Sequence, residues 1–225
     1  MKISTIGTGN MARALGILWA EQGHDVFFGS REAEKGQSVA EFAGHGAKGG
    51  SDDEAAIFGE VIFYSVRGVM PSQVLSNPQF LSGKVVIDCN NREIPKNYAF
   101  DSMMEESLAE KLAADIPDAY TVKAFNTMAQ EVFELSPEPL KDYDVSCFVC
   151  GDNKQAKQTV MTLAEEIGFS PLDCGGLRNA RMVEALGDFI RFAIGGIGLG
   201  SYATISVRQL PEADRQRLGG RQPGA

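Results

Sequence analysis

Gly7, Thr8, Gly9, Asn10, Met11 and Ala12 follow the apolar run Ile3-Ser4-Thr5-Ile6 and precede a helix-forming stretch, a setting in which glycine spacing carries chemistry. In a strand-turn-helix unit of the nucleotide-binding kind, the first glycine permits the tight turn and the second lets backbone approach a pyrophosphate. A third small residue then lets helix and strand pack closely. Gly7, Gly9 and Ala12 stand at those places. An anion there rests on free amides at a helix N-terminus, where the helix dipole favours negative charge. About twenty residues on, an NAD site usually offers an Asp or Glu to the ribose 2′-hydroxyl. This chain instead offers Ser30 and Arg31, after Asp25-Val26-Phe27-Phe28-Gly29, with Lys35 one helical turn further. A hydroxyl beside a guanidinium suits a 2′-phosphate, because arginine is always charged and bonds phosphate oxygens bidentately. The other reading is that Ser30 caps a helix and Arg31 and Lys35 are solvated charges. Glu32 and Glu34 follow the strand end and are expected to point away.

These residues need elements to hold them. Apolar runs alternate with helical patterns, the sequence form of a parallel sheet covered on both faces. Strands are expected near 2–6, 25–29, 61–66, 84–88, 121–125, 145–150 and 170–172, and helices over 10–22, 32–43, 70–76, 102–115, 153–167 and 179–194. Asp52-Asp53 is a candidate start for a further short helix. The fold class is α/β, a doubly wound parallel sheet of the Rossmann kind with a short C-terminal helical extension. One domain is expected over 1–205, followed by a polar tail, 206–225, whose end is expected to be mobile.

With 225 residues, 44% of them hydrophobic and 23% charged, the chain can bury a sizeable core. Thirty acidic against 21 basic residues give a net charge of −9, which argues against nucleic-acid and anionic-membrane partners. No apolar segment is long enough to span a bilayer and strand one begins at once, so a cytoplasmic location is expected.

In open α/β sheets ligands bind beyond the carboxyl ends of the strands. The residues expected there are Val66-Arg67-Gly68, Asp88-Cys89-Asn90-Asn91-Arg92, Phe125-Asn126-Thr127-Met128-Ala129 and Gly175-Gly176-Leu177. No histidine is among them: His24 belongs to the opposite end of the sheet and His45 to a glycine-rich surface segment. Nor is there a Ser-His-Asp set, a metal cluster or a Tyr-x-x-x-Lys pair, so no catalytic acid is assigned. Carbonyl reduction usually needs a proton donor, whereas hydride exchange between two redox cofactors needs little beyond positioning.

The four cysteines read as packing residues, with the alternative that Cys89 and Cys174, each following an expected strand, line a cleft. Cys147 and Cys150, three apart in a strand, face opposite ways and cannot share a metal. The run from Phe192 to Gly200 is apolar and glycine-rich, either a pocket wall or dimer contact, or a plain core helix end.

Gly7-Thr8-Gly9-Asn10-Met11, Gly29-Ser30-Arg31 with Lys35, Val149-Cys150-Gly151-Asp152, and Leu172 to Leu177 followed by Arg181-Met182-Val183-Glu184 resemble the 8-hydroxy-5-deazaflavin (coenzyme F420):NADP oxidoreductases over residues 1–205. Val122 to Asn126 and the Asp88-Cys89-Asn90-Asn91 turn are similar to the cytosolic reductase domain of the six-transmembrane ferric reductases, which use NADPH to reduce a flavin. The resemblance implies NADPH in the first crevice, a deazaflavin, FMN or FAD stacked on its nicotinamide, a C-terminal helix closing the pocket, and a homodimer. It implies cofactor contacts at the Gly7–Met11 turn, Ser30, Arg31, Lys35, Val66, Arg67, Asn90, Asn126 and Thr127. Arg67 stays open between cofactor phosphates, the acidic tail of a deazaflavin and a surface carboxylate. Val66-Arg67 and Asn126-Thr127 depart from the Ile-Pro and His-Thr pairs of the archaeal enzymes, which leaves the second cofactor open. The alternatives are a flavin or ferric reductase, and a non-catalytic NADP(H) sensor.

Overall fold

The structure is a computed structural model that describes residues 1–101 and 104–211. The first two residues of the helix expected over 102–115, and the tail from 212 on, lie outside the described residues.

Strands β1 (Lys2–Ile6), β2 (Asp25–Ser30), β3 (Lys48–Ser51), β4 (Val61–Tyr64), β5 (Val85–Asp88) and β6 (Tyr120–Lys123) form a six-stranded sheet in the order β3-β2-β1-β4-β5-β6. Every pairing in it is parallel. Helices α1 (Asn10–Glu21), α2 (Ala33–Ala43), α3 (Asp52–Phe58), α4 (Pro71–Val74) and α5 (Leu108–Asp115) connect these strands. After β6 come α6 (Pro137–Asp142), β7 (Ser146–Val149), α7 (Lys154–Glu166), β8 (Ser170–Asp173) and α8 (Ala180–Arg191).

Period-two alternation divides the strand side chains between two cores. Val61 and Phe63 face one layer with Trp19, Phe28 and Phe125, while Ile62 and Tyr64 face another with Ile6, Val86 and Leu112. Trp19 stands edge-on to Phe63 and Phe125, each at 5.9 Å between ring centroids, and its indole N–H donates to the Leu163 carbonyl, tying α1 to α7.

Five expectations are corrected. β3 is an additional strand, Lys-Gly-Gly-Ser, whose glycines hide it because glycine weakens a strand. They are needed because α2 lies close: a side chain on Gly36 would strike the Gly50 and Phe28 backbone, and one on Gly49 would strike Gly36. The strand expected over 121–125 ends at Lys123, because Phe125 takes the left-handed conformation, φ 58°. The helix expected over 70–76 shrinks to Pro71–Val74, and that over 102–115 begins at Leu108, where Ser107 and Glu110 form a reciprocal N-terminal cap. Finally, β7 and β8 form a parallel pair of their own, joined to β6 through an antiparallel bridge between Lys123 and Cys150.

Candidate functional site

The sheet reverses its strand order beside β1, with β2 on one flank and β4 on the other. A crevice opens at such a switch point because the connections leave in opposite directions. The turn after β1 and the loop after β4 therefore face each other, and the Ser65 hydroxyl donates to the Ile6 carbonyl across the gap at 3.2 Å.

Gly7 has φ +91°, and its N–H donates to Asp52 Oδ1 at 3.1 Å. Gly9 is the N-cap residue of α1 with φ −67°, and no side chain caps that helix. A first cleft of about 550 Å³ runs from this turn to the end of β2 and holds Gly7, Thr8, Ser30, Arg31, Lys35 and Val66. Thr8 and Ser30 are hydroxyl to hydroxyl at 3.4 Å. Glu32, expected to point away, lines the same cleft, 2.9 Å from Lys35 and 3.9 Å from Arg31. It does so because α2 starts only at Ala33 and Glu32 is still extended. The hydrogen bond and charge of Lys35 hold its carboxyl below the usual value. Asp52 and Asp53 also line it, and burial raises Asp52 above the usual carboxylate value against its bond from Gly7.

A second cleft, of about 450 Å³, is lined by Met11, Arg67, Cys89, Phe125, Asn126 and Met128, with Ile190, Arg191 and Ile194 of the C-terminal helix across from them. The Gly175-Gly176-Leu177 turn expected there lies elsewhere: Leu177 packs with Phe148 and Cys150, and its N–H donates to Asp152. Asn90 and Thr127 are not on its wall. Thr127 is buried at 2% exposure, and Asn90 is held by Asp88 through its N–H at 3.0 Å and its side-chain amide at 2.9 Å. Asn10 turns toward a separate groove along α1, with Arg13 and Phe133. Burial pushes the Cys89 thiol up to about 12, so it stays protonated.

Asn126 is 4% exposed, and its amide donates to Asn91 Oδ1 and to the Val183 carbonyl, each at 2.9 Å. Its own Oδ1 has no partner. Gly187 makes this approach possible, since a side chain there would strike Asn91 and Asn126.

Beneath the second cleft lies an ion cluster that sequence reasoning missed. Lys123, 0% exposed, bonds Asp88 Oδ2 and Glu184 Oε1 at 2.8 Å each, and also the Asn90 carbonyl. Glu184 in turn accepts the N–H groups of Leu108 and Ala109 at the start of α5. Burial alone would lower the Lys123 pKa, and the two carboxylates more than offset it, so the ammonium is held above its ordinary value. The available signal was a lysine between Val122 and Ala124 in an apolar strand. Four residues after Glu184 on α8, Asp188 bonds Arg92 at 2.6 Å and also Arg191, and both guanidiniums lie over the Phe100 ring. Arg191, too, was missed. Among the described residues no group of His, Cys, Asp and Glu is placed to hold a metal, and no helix is long and apolar enough to cross a membrane.

This sheet order, with a glycine turn at its switch point, defines the dinucleotide-binding α/β class. Residues 2–92 match the family described as NADP oxidoreductase, coenzyme F420-dependent. The F420-dependent NADP reductase of Methanothermobacter marburgensis is 31% identical over 205 residues, 83% of this chain and 89% of that protein. Human metalloreductase STEAP2 is 31% identical over 184 residues, 82% of this chain but 35% of that protein, so the chain spans about a third of the metalloreductases it matches. A crystal structure of an Arthrobacter sp. FB24 protein shares the fold, with a TM-score of 0.77 over 93% of this chain and 100% of that chain at 23% identity. The chain belongs to the F420-dependent NADP oxidoreductase family.

Proposed function

We propose that this protein moves a hydride between NADPH and a deazaflavin or flavin acceptor. Gly9 carries the reading. Its φ of −67° is open to any residue, and a side chain there would meet no protein atom within 4 Å. Folding does not ask for glycine at that place, whereas a pyrophosphate lying against the uncapped start of α1 does. The rest of the dinucleotide fits the residues on either side. Ser30, Arg31 and Lys35, with Thr8 beside Ser30, suit a 2′-phosphate, and Val66 walls the same cleft. Met11 and Arg67 lead into the second cleft, where the unpartnered Asn126 Oδ1 suits the N–H of a nicotinamide carboxamide. Asn90 acts from behind, fixing the loop after β5 through Asp88 and the Tyr64 carbonyl.

NADPH supplies the hydride when bound, and this chain's residues position the two rings and exclude water. No side-chain acid is required, consistent with the protonated Cys89. Arg67, a guanidinium on the second cleft, favours an acceptor with an acidic or phosphate tail, which deazaflavin, FMN and FAD all carry. The second reading passes electrons through a flavin to a metal such as ferric iron, in keeping with the metalloreductase relatives. We further assign residues 1–205 to one functional unit, a cytoplasmic location in keeping with the charge of −9, and a homodimer.

Two measurements test this. Calorimetry on folded Gly9→Val is expected to show no NADPH binding, and normal affinity would overturn the assignment of the turn. NADPH oxidation in the presence of coenzyme F420, FMN, FAD or a ferric chelate identifies the acceptor, and failure with all four would favour an NADP(H) sensor.

A further inference from the structure

All four cysteines are free thiols, and two of them meet. β7 and β8 run in parallel with Val149 opposite Asp173, and the bond from the Cys174 N–H to the Val149 carbonyl, 2.8 Å, carries the ladder one step further. That step sets Cys150 opposite Cys174. Opposed residues on paired strands point to the same face, and paired strands lie about 4.8 Å apart, inside the Cα separation of about 4.4–6.8 Å that a disulfide spans. Cys174 packs on the apolar cluster that contains Cys150. Cys147 faces the opposite way, into the main core.

We propose that Cys150 and Cys174 form a reversible intramolecular disulfide, a redox-modification site outside both clefts and independent of the cofactors proposed above. The pair is asymmetric in the way such chemistry requires. Cys174 is half-buried and reaches solvent, while Cys150 is 0% exposed. Interaction with the neighbouring Cys150 thiol brings Cys174 down to about 7 and raises Cys150, and the Cys174 sulfur also lies 3.5 Å from the Leu172 carbonyl. Cys174 is therefore the nucleophile and Cys150 the resolving thiol.

With hydrogen peroxide as the oxidant, the Cys174 thiolate attacks the O–O bond, forming an S–O bond and releasing hydroxide, which takes up a proton to become water. The resulting sulfenic acid is attacked by the Cys150 sulfur: an S–S bond forms, the S–O bond breaks, and the Cys150 proton leaves with the hydroxyl as a second water. Two thiols lose two electrons and the peroxide gains them. Cys150 is bonded through its backbone to Lys123 in both directions, at 2.8 and 3.1 Å, so the bridge ties β8 to the strand that holds the buried ion cluster.

The test uses the whole reduced protein, treated with hydrogen peroxide after removal of reductant. Thiol titration in denaturant is expected to fall from four to two, with a mass lower by two hydrogens, a peptide map linking Cys150 to Cys174, and full recovery with dithiothreitol. Before oxidation, Cys174 is expected to alkylate at neutral pH at least about tenfold faster than the other three. Cys150→Ser should leave a sulfenic acid on Cys174 that dimedone traps, while Cys147→Ser and Cys89→Ser should still form the bridge. Four surviving thiols, a Cys147–Cys150 link, or a cross-link only between protomers would overturn the proposal. The map of the unmutated protein decides this even where a variant fails to fold.

Discussion

Glu32 sets how freely the first cleft can hold a phosphate. It occupies both cations there, Lys35 at 2.9 Å and Arg31 at 3.9 Å, and all three side chains are largely exposed. Exposed pairs are weak, so Glu32→Gln is expected to tighten NADPH only about two- to fivefold by releasing the cations. Arg31→Ala removes a charged hydrogen-bond donor and is expected to weaken NADPH about ten- to a hundredfold while leaving NADH nearly unchanged. Calorimetry with both nucleotides checks the pair, and equal losses for NADPH and NADH in Arg31→Ala would show that Arg31 does not read the 2′-phosphate. At this scale Ser30, Arg31 and Lys35 were legible because their order along one strand end already fixes their proximity. Glu32 was not: its direction depends on α2 starting at Ala33 and not at 32, a one-residue boundary that propensity does not resolve.

α8 joins the site through two carboxylates one turn apart: Glu184 reaches β6 and the start of α5, and Asp188 reaches the loop after β5. Sequence patterning located this helix by its apolar face but could not show that its acidic residues turn inward, because their partners Lys123 and Arg92 lie more than sixty residues away. β3 was invisible for a related reason, its glycines answering to the backbone of α2 and not to strand propensity. The buried cluster makes an ordered prediction. Lys123→Met leaves Asp88 and Glu184 buried without their cation and should cost about 3–5 kcal/mol or more. Glu184→Gln keeps a hydrogen-bonding side chain, and Lys123 keeps Asp88, so about 1–3 kcal/mol is expected. Urea midpoints on the two variants check the order, and a Glu184→Gln protein less stable than Lys123→Met would mean that Glu184, through its cap on α5, is the principal anchor.

For the molecule as a whole, the doubly wound sheet was legible because alternating apolar runs and helical periods are local signals, whereas the reversal at β7 is a long-range event that no local pattern records. The outer face of α8 and the segment after it raise the question of assembly. Met182 and Phe189, two turns apart on one face, are 69% and 56% exposed, and Ile197, Leu199 and Tyr202 follow at 57% or more. Apolar side chains gathered along one element mark an interaction surface more often than scattered ones do. Arg92 and Arg191, pinned by Asp188 to the same helix, hold its position against the body of the protein, so a second copy docking there would meet a rigid surface. Light scattering is expected to give a dimer mass for the unaltered protein. Phe189→Asp is expected to raise the dissociation constant at least about thirtyfold, since a central aromatic contact contributes about 2 kcal/mol or more. Because Phe189 is already more than half exposed, the thermal midpoint of the separated protomer should hold, and a variant that unfolds along with dissociation would instead place Phe189 among the side chains that secure α8 to the sheet. A monomer mass for the unaltered protein at micromolar concentration would overturn the dimer.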